Sequence, residues 1–126
     1  VADAIHVVPI PDGLPLEPAV AMPISYPTAA ASLLWRARLE AGQWVLVQGA
    51  AGGVGLAAVE VAKALGARVI ARCGADKADL PRARGADAVL DGAEPFRDAA
   101  RDLTGGRGVD AVLDVLGGDA FDEGLR

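Results

Sequence analysis

The chain is 126 residues long, has a formal net charge of −5, and is rich in Ala, Val, Leu and Gly with few aromatics. That length suits one compact unit burying roughly two-thirds of its unfolded surface, and an acidic chain without clustered Lys and Arg excludes a nucleic-acid surface. Cys73 is the only cysteine, which excludes an internal disulfide and a cysteine-rich metal site. Apolar runs fall far short of a membrane span and no signal-peptide pattern opens the chain, so the reading is a cytoplasmic protein with no membrane partner.

In chain order, residues 5–11 read as a strand-like segment broken by Pro9 and Pro11, and Asp12, Gly13, Pro15 and Pro18 make a turn-rich connector. That connector reads equally as an inter-domain hinge or as a loop packed on the core. A helix follows, with Thr28 as N-cap, Ala30, Leu33, Leu34 and Ala37 on one face, and Gly42 as its stop. Residues 44–49 are an apolar strand running directly into a glycine-rich turn. A helix over 54–65 comes next: Val54, Ala57, Ala58, Val61, Ala62 and Leu65 share one face, and Gly66 sits at a left-handed C-cap. Residues 68–72 form a second strand. The helix between 76 and 84 either starts late, near Asp79, or is kinked, because Pro81 lacks an N–H and clashes with the turn before it. A third strand covers 88–91, a helix opened by Pro95 covers 95–103, and a fourth strand over 109–116 ends at Gly117-Gly118. Such alternation predicts right-handed crossovers and an α/β fold around a parallel sheet covered on both faces.

Strand, glycine turn and helix in this order suit a dinucleotide. A turn without bulky side chains lets the backbone approach a pyrophosphate, and the positive end of the helix meets its charge. Read as A-x-G-x-x-G, Ala50 takes the tight turn, Gly52 the phosphate approach and Gly55 the close helix–strand packing. Two registers starting at Gly49 are also legible, one of them resembling short-chain dehydrogenases. Those enzymes need an Asn-Ala-Gly element and a Tyr-x-x-x-Lys pair; the chain has no Asn, and Ala30 stands four residues after its only tyrosine, Tyr26. The bland alternative is a turn whose glycines serve packing alone, although packing needs one glycine and four cluster here. An acid about 20 residues beyond the glycines would mark NAD, yet the second strand ends Arg72-Cys73-Gly74-Ala75 with no carboxylate before Asp76. Arg72 and Lys77 are the nearby cations. Either alone is as readily a surface charge; with the missing acid they favour NADPH.

Several spaced motifs carry a family resemblance: Pro11-Asp12-Gly13-Leu14, Met22 to Ala29, Leu39 to Val47, Gly49 to Gly55, Ala64-Leu65-Gly66-Ala67, Gly85-Ala86-Asp87, and Thr104 to Asp110 continuing to Gly118. Together they resemble the medium-chain dehydrogenase/reductase superfamily, and within it the zinc-free quinone oxidoreductase branch. The resemblance implies a Rossmann-type doubly wound sheet, here with four of six strands in the order three-two-one-four. It also implies that residues 1–27 are the end of a β-rich catalytic domain and its connector, and residues 28–126 an incomplete cofactor-binding domain. Cofactor-binding positions carried over from the family are Thr28, Ala51, Gly52, Gly53, Val54, Cys73, Lys77, Leu116 and Gly117, with Lys77 matching a residue that contacts the adenosine phosphate. Two positions depart from the pattern: Cys73 replaces a frequent Ser or Thr, and Gly92 a frequent tyrosine.

No metal site is expected, since the zinc enzymes of the superfamily place a cysteine shortly before Thr28 where this chain has Ile24-Ser25-Tyr26-Pro27, and His6 and Cys73 lie on different elements. Catalytic residues are left unassigned, because the groups shaping the substrate pocket come largely from the catalytic domain. Tyr26 reads as structural, Asp110 and Asp114 as capping carboxylates. The implied activity is hydride transfer from NADPH to a quinone or α,β-unsaturated carbonyl, in a protein that forms homo-oligomers at full length. An enoyl-thioester reductase domain of a synthase and a non-catalytic dinucleotide-binding module remain alternatives.

Overall fold

A computed structural model describes Val1 and residues 3–125. Four parallel strands form one sheet: β1 (Trp44–Gln48), β2 (Arg68–Cys73), β3 (Ala88–Asp91) and β4 (Ala111–Leu113), in the order β3-β2-β1-β4. This is the order that the family resemblance implies. Period-two alternation divides the side chains of β1 and β2 between two cores. Val45, Val47, Val69 and Ala71 pack on one face with Ala57, Ala58, Val59 and Ala62 of helix α2 (Gly53–Ala64). Leu46 and Ile70 pack on the other with Phe96 and with Ala100 of helix α4 (Arg97–Leu103). Three of those α2 residues are alanines, so helix and sheet approach closely. Full burial of each valine stabilises by roughly 1.5–3 kcal/mol.

Helix α1 (Leu16–Ala30) continues as a π-helical turn, Ala31–Arg36, and packs along α2 through Ala29, Leu33 and Tyr26. This corrects the expected helix start at Thr28. Pro15 is the N-cap and Pro18 falls in the first turn, where a missing N–H is harmless. Pro23 and Pro27 lie inside the helix on its exposed side. Thr28 is therefore an exposed residue of the last turn, whose carbonyl accepts a hydrogen bond from Ser32 Oγ at 2.8 Å. The expected strand over 5–11 is also absent: Ala4–His6 form a single 3-10 turn, and Ile5, Val7 and Val8 are exposed. Among the described residues no strand pairs with them, and two prolines remove donors.

Pro81 is accommodated in the first turn of helix α3 (Asp79–Ala83), after a 3-10 turn at Ala75–Lys77, which settles the alternative in favour of a late start. β4 is shorter than the expected 109–116. Asp114 Oδ1 accepts the N–H groups of Leu116 (2.7 Å) and Gly117 (3.0 Å), which turns the chain off the sheet edge. A helix not anticipated, α5 (Asp119–Gly124), follows. Its Glu123 Oε1 accepts from the N–H groups of Phe96 (2.8 Å) and Arg97 (3.0 Å), placing a carboxylate at the positive end of α4.

Two aspartates close the bottom of the sheet in the same way. Asp87 N–H donates to the Val69 carbonyl while its carboxylate accepts Val69 N–H, and Asp110 does the same with Trp44. Each carboxylate also holds a cation, Lys63 and Arg107 respectively. Burial works against the charge on Asp87, but its bonds to Lys63 and Val69 outweigh it and hold the carboxyl below the usual range. The Arg107 hydrogen bond does the same for Asp110.

Candidate functional site

The carboxyl ends of the strands surround a cleft of about 360 Å³, bordered by Gly49, Ala51, Gly52, Arg72, Cys73, Gly74, Lys77, Gly92, Val115 and Leu116. It lies where the strand order reverses between β1 and its two neighbours, the position at which open α/β sheets bind ligands. The sequence builds it from the four turns that follow the strands. β1 runs into the glycine turn, β2 into Gly74 and the Ala75–Lys77 turn, β3 into Gly92, and β4 into the Asp114 turn that carries Val115 and Leu116.

The glycines of the first turn have distinct roles. Gly49 adopts a left-handed conformation (φ +66°), and a Cβ there would sit 2.6 Å from Val115 Cγ2. The tight-turn position is thus Gly49, one residue before the expected Ala50, which is fully buried and donates its N–H to the Arg72 carbonyl at 3.0 Å. At Gly55 a Cβ would lie 2.7 Å from Ala50 Cα, so this glycine is what lets the first turn of α2 rest on the loop. Gly52 is different: it is exposed, it is the N-cap of α2, and a Cβ there would meet only the Gly49 carbonyl, at 3.3 Å. No side chain caps the 12-residue helix it opens, which leaves the positive N-terminus of α2 open to an anion from outside.

Of the residues expected to bind cofactor, Ala51, Gly52, Cys73, Lys77 and Leu116 border the cleft. Thr28, Gly53, Val54 and Gly117 do not. Thr28 is on α1, Gly53 begins α2 beside Ser25, Val54 lies in the first turn of α2, and the Gly117 N–H is taken by Asp114. Cys73 is buried, and burial pushes its thiol up, so it is a neutral wall residue at neutral pH. Lys77 is exposed at the rim, while Asp76, the first carboxylate after β2, lies against Gly74 and does not border the cleft.

Arg72 requires a correction. Expected as a free cation beside Lys77, it is instead buried and engaged within the protein: Nη1 donates to Gln48 Oε1 (2.8 Å), and Nη2 donates to the carbonyls of Gly92 (2.7 Å) and Glu94 (3.1 Å). Its guanidinium lies 4.8 Å from the Phe96 ring centroid. Gln48, which sequence reading passed over, is fully buried and its Nε2 donates to the Ala120 carbonyl of α5 at 2.9 Å. No local signal marked either: both are polar residues near strand ends, and their partners lie on other elements.

Among the described residues no three His, Cys, Asp or Glu side chains come together as metal ligands. The donor set of a zinc site is therefore not found among the described residues.

The family profile described as zinc-binding dehydrogenase matches residues 53–126. The chain is 42% identical over 120 residues to mouse quinone oxidoreductase-like protein 2, covering 93% of this chain and 34% of that protein. It is 46% identical over 117 residues to erythronolide synthase EryA2 of Saccharopolyspora erythraea, covering 90% of this chain and 3% of the synthase. Among solved structures, the quinone oxidoreductase of Thermus thermophilus, described also in complex with NADPH, superposes with a TM-score of 0.81 at 41% identity, over 91% of this chain and 38% of that one. The chain thus spans about a third of the length of the mouse and Thermus proteins. With a doubly wound sheet, a glycine turn opening an uncapped helix, and this pattern of relatives, the chain belongs to the medium-chain dehydrogenase/reductase superfamily, in its quinone oxidoreductase branch.

Proposed function

We propose that this chain forms the cofactor-binding part of an NADPH-dependent reductase of quinones or α,β-unsaturated carbonyl compounds. The observation that carries the reading is the cleft itself. It joins the open N-terminus of α2 to an exposed lysine, with no carboxylate on its border. In this reading the backbone of Ala51 to Val54 faces the pyrophosphate, and Lys77 pairs with the 2′-phosphate at the β2 side. Leu116 and Gly117 approach the nicotinamide side, and Thr28 and Cys73 complete the family's contact set. NADPH, when bound, supplies a hydride for an electron-poor carbon of the substrate. The residues of this chain bind and orient; Gly52 keeps the approach to the helix end clear. Homo-oligomerisation and a cytoplasmic location belong to the same proposal for the whole protein.

Identity to the synthase, higher than to the mouse protein, favours a second reading: an enoyl-thioester reductase domain. Titration of the chain with NADPH and NADH tests the shared part. NADPH binds more tightly, and Lys77→Ala lowers NADPH affinity alone by roughly 1–2 kcal/mol, the scale of one charge-assisted contact. Equal affinities for the two nucleotides overturn the cofactor assignment. Assaying the product of the reading frame that carries this sequence with a quinone and with an enoyl thioester separates the two substrate classes.

A further inference from the structure

Arg72 is an unusual way to fill the space between a sheet and a helix. Only 7% of the residue is exposed, and every partner it has among the described residues is neutral: one amide oxygen, two backbone carbonyls and an aromatic ring. Burying a cation without a carboxylate carries a desolvation penalty that an apolar side chain would avoid. What the guanidinium achieves is geometric. Gly92 is held at both ends, its N–H by the Cys73 carbonyl at 2.7 Å and its own carbonyl by Arg72 at 2.7 Å. Gly92 and Cys73 both border the cleft, and together they form its wall on the side of Lys77. The same guanidinium reaches α5 through Gln48, whose amide donates to Ala120 just beyond the turn carrying Leu116.

We propose that Arg72 is the positioning residue for the adenosine half of the nucleotide cleft, an inference that rests on the dinucleotide reading above. It fixes the loop from Gly92 to Glu94 against the end of β2, so that the wall is formed before ligand arrives, and it does not itself pair with the 2′-phosphate. Positioning of this kind acts through a fork of directed hydrogen bonds, which a lysine cannot reproduce although it keeps the charge.

The test uses two ligands, 5′-AMP and 2′,5′-ADP, titrated calorimetrically into the wild-type chain and into Arg72→Met, Arg72→Lys and Lys77→Ala. Both Arg72 variants weaken both ligands by a similar factor of about tenfold, the effect of losing one strong hydrogen bond, whereas Lys77→Ala weakens 2′,5′-ADP alone. Hydrogen exchange supplies a readout that a general packing role would not move. The Gly92 amide exchanges faster in the Arg72 variants while the amides of Leu46 and Ile70 keep their protection. Should Arg72→Met fail to fold, Arg72→Lys decides by the same criteria. Arg72 variants that bind both ligands as wild type does, or that lose affinity only for 2′,5′-ADP and so act as a charge partner, overturn the proposal. A wild-type chain that binds neither ligand overturns the dinucleotide reading and this inference with it.

Discussion

Gln48 and Arg72 are register partners on adjacent parallel strands, and their side chains meet on the α4 face of the sheet in a buried hydrogen bond of 2.8 Å. Gln48→Leu removes the acceptor for Arg72 Nη1 and the donor for the Ala120 carbonyl, leaving buried polar groups unsatisfied. Urea denaturation should show a loss of about 1–3 kcal/mol. In the Gln48→Leu, Arg72→Met double variant the losses should fall short of additive, since the second change removes the group that the first had orphaned. Strict additivity would mean that the two residues are energetically independent despite their contact.

Gly55 and Gly52 should respond oppositely to side chains. Gly55→Ala drives a methyl into the backbone of Ala50 and should destabilise the fold by roughly 2 kcal/mol or more, the range of overpacked sites. Gly52→Val meets only one carbonyl at 3.3 Å, so thermal unfolding should change little while NADPH binding collapses. Global unfolding of Gly52→Val would show that the glycine serves packing; undiminished NADPH binding would remove Gly52 from the phosphate approach.

The closing aspartates make stability acid-sensitive. Asp87 and Asp110 have carboxyls held below their ordinary value in the folded chain, so the unfolded chain binds protons first as pH drops. Their contribution is complete above the ordinary carboxylate range, near pH 4, and is lost as pH falls through their lowered folded values. Asp110→Asn should therefore reduce stability at pH 7 and flatten the acid limb of a stability–pH profile. An unchanged acid limb would assign it to other groups.

At the alkaline end the sign reverses. Tyr26 Oη donates to Glu60, which also accepts from Arg84, tying α1 to α2 and to the residue that ends α3. The Glu60 hydrogen bond raises the Tyr26 phenol above its ordinary value, so this contribution is complete below about pH 10 and fades as pH climbs through the raised value. Burial alone would raise the Glu60 carboxyl, but its two donors outweigh that and hold it low. Tyr26→Phe should lower stability at neutral pH and remove part of the alkaline decline, measured by thermal melts between pH 8 and pH 11.

The sheet was legible in the sequence because its central strands β1 and β2 are almost wholly buried and read as apolar runs, while the partly exposed β3 and β4 are still short apolar segments; their order followed from the family resemblance. The glycine turn was legible because its requirement is steric. What escaped had a different cause. Helix α1 begins in a proline-rich segment where propensity opposes a helix, and packing against α2 decides the outcome. The roles of Arg72 and Gln48 are set by residues 20 to 72 positions away, contacts that no local pattern encodes. Lys77 and Arg72 looked equivalent as charges near one strand end. Their difference lies in which face the strand turns each residue toward, and only Lys77 sits beyond the strand, free of that alternation.

β4 joins the sheet through three register pairs with β1 alone, and the bond from Trp44 N–H to the Asp110 carboxylate spans 66 residues of chain. Closing so long a loop for so short a ladder predicts that, of the four strands, this one docks last in folding and detaches first in the native state. Leu116 follows it, so one wall of the cleft hangs on the shortest ladder of the sheet, whereas the glycine turn follows β1, which pairs on both sides. A ligand that touches both walls would report itself as slowed amide exchange in residues 111–113, far more than in β1 or β2.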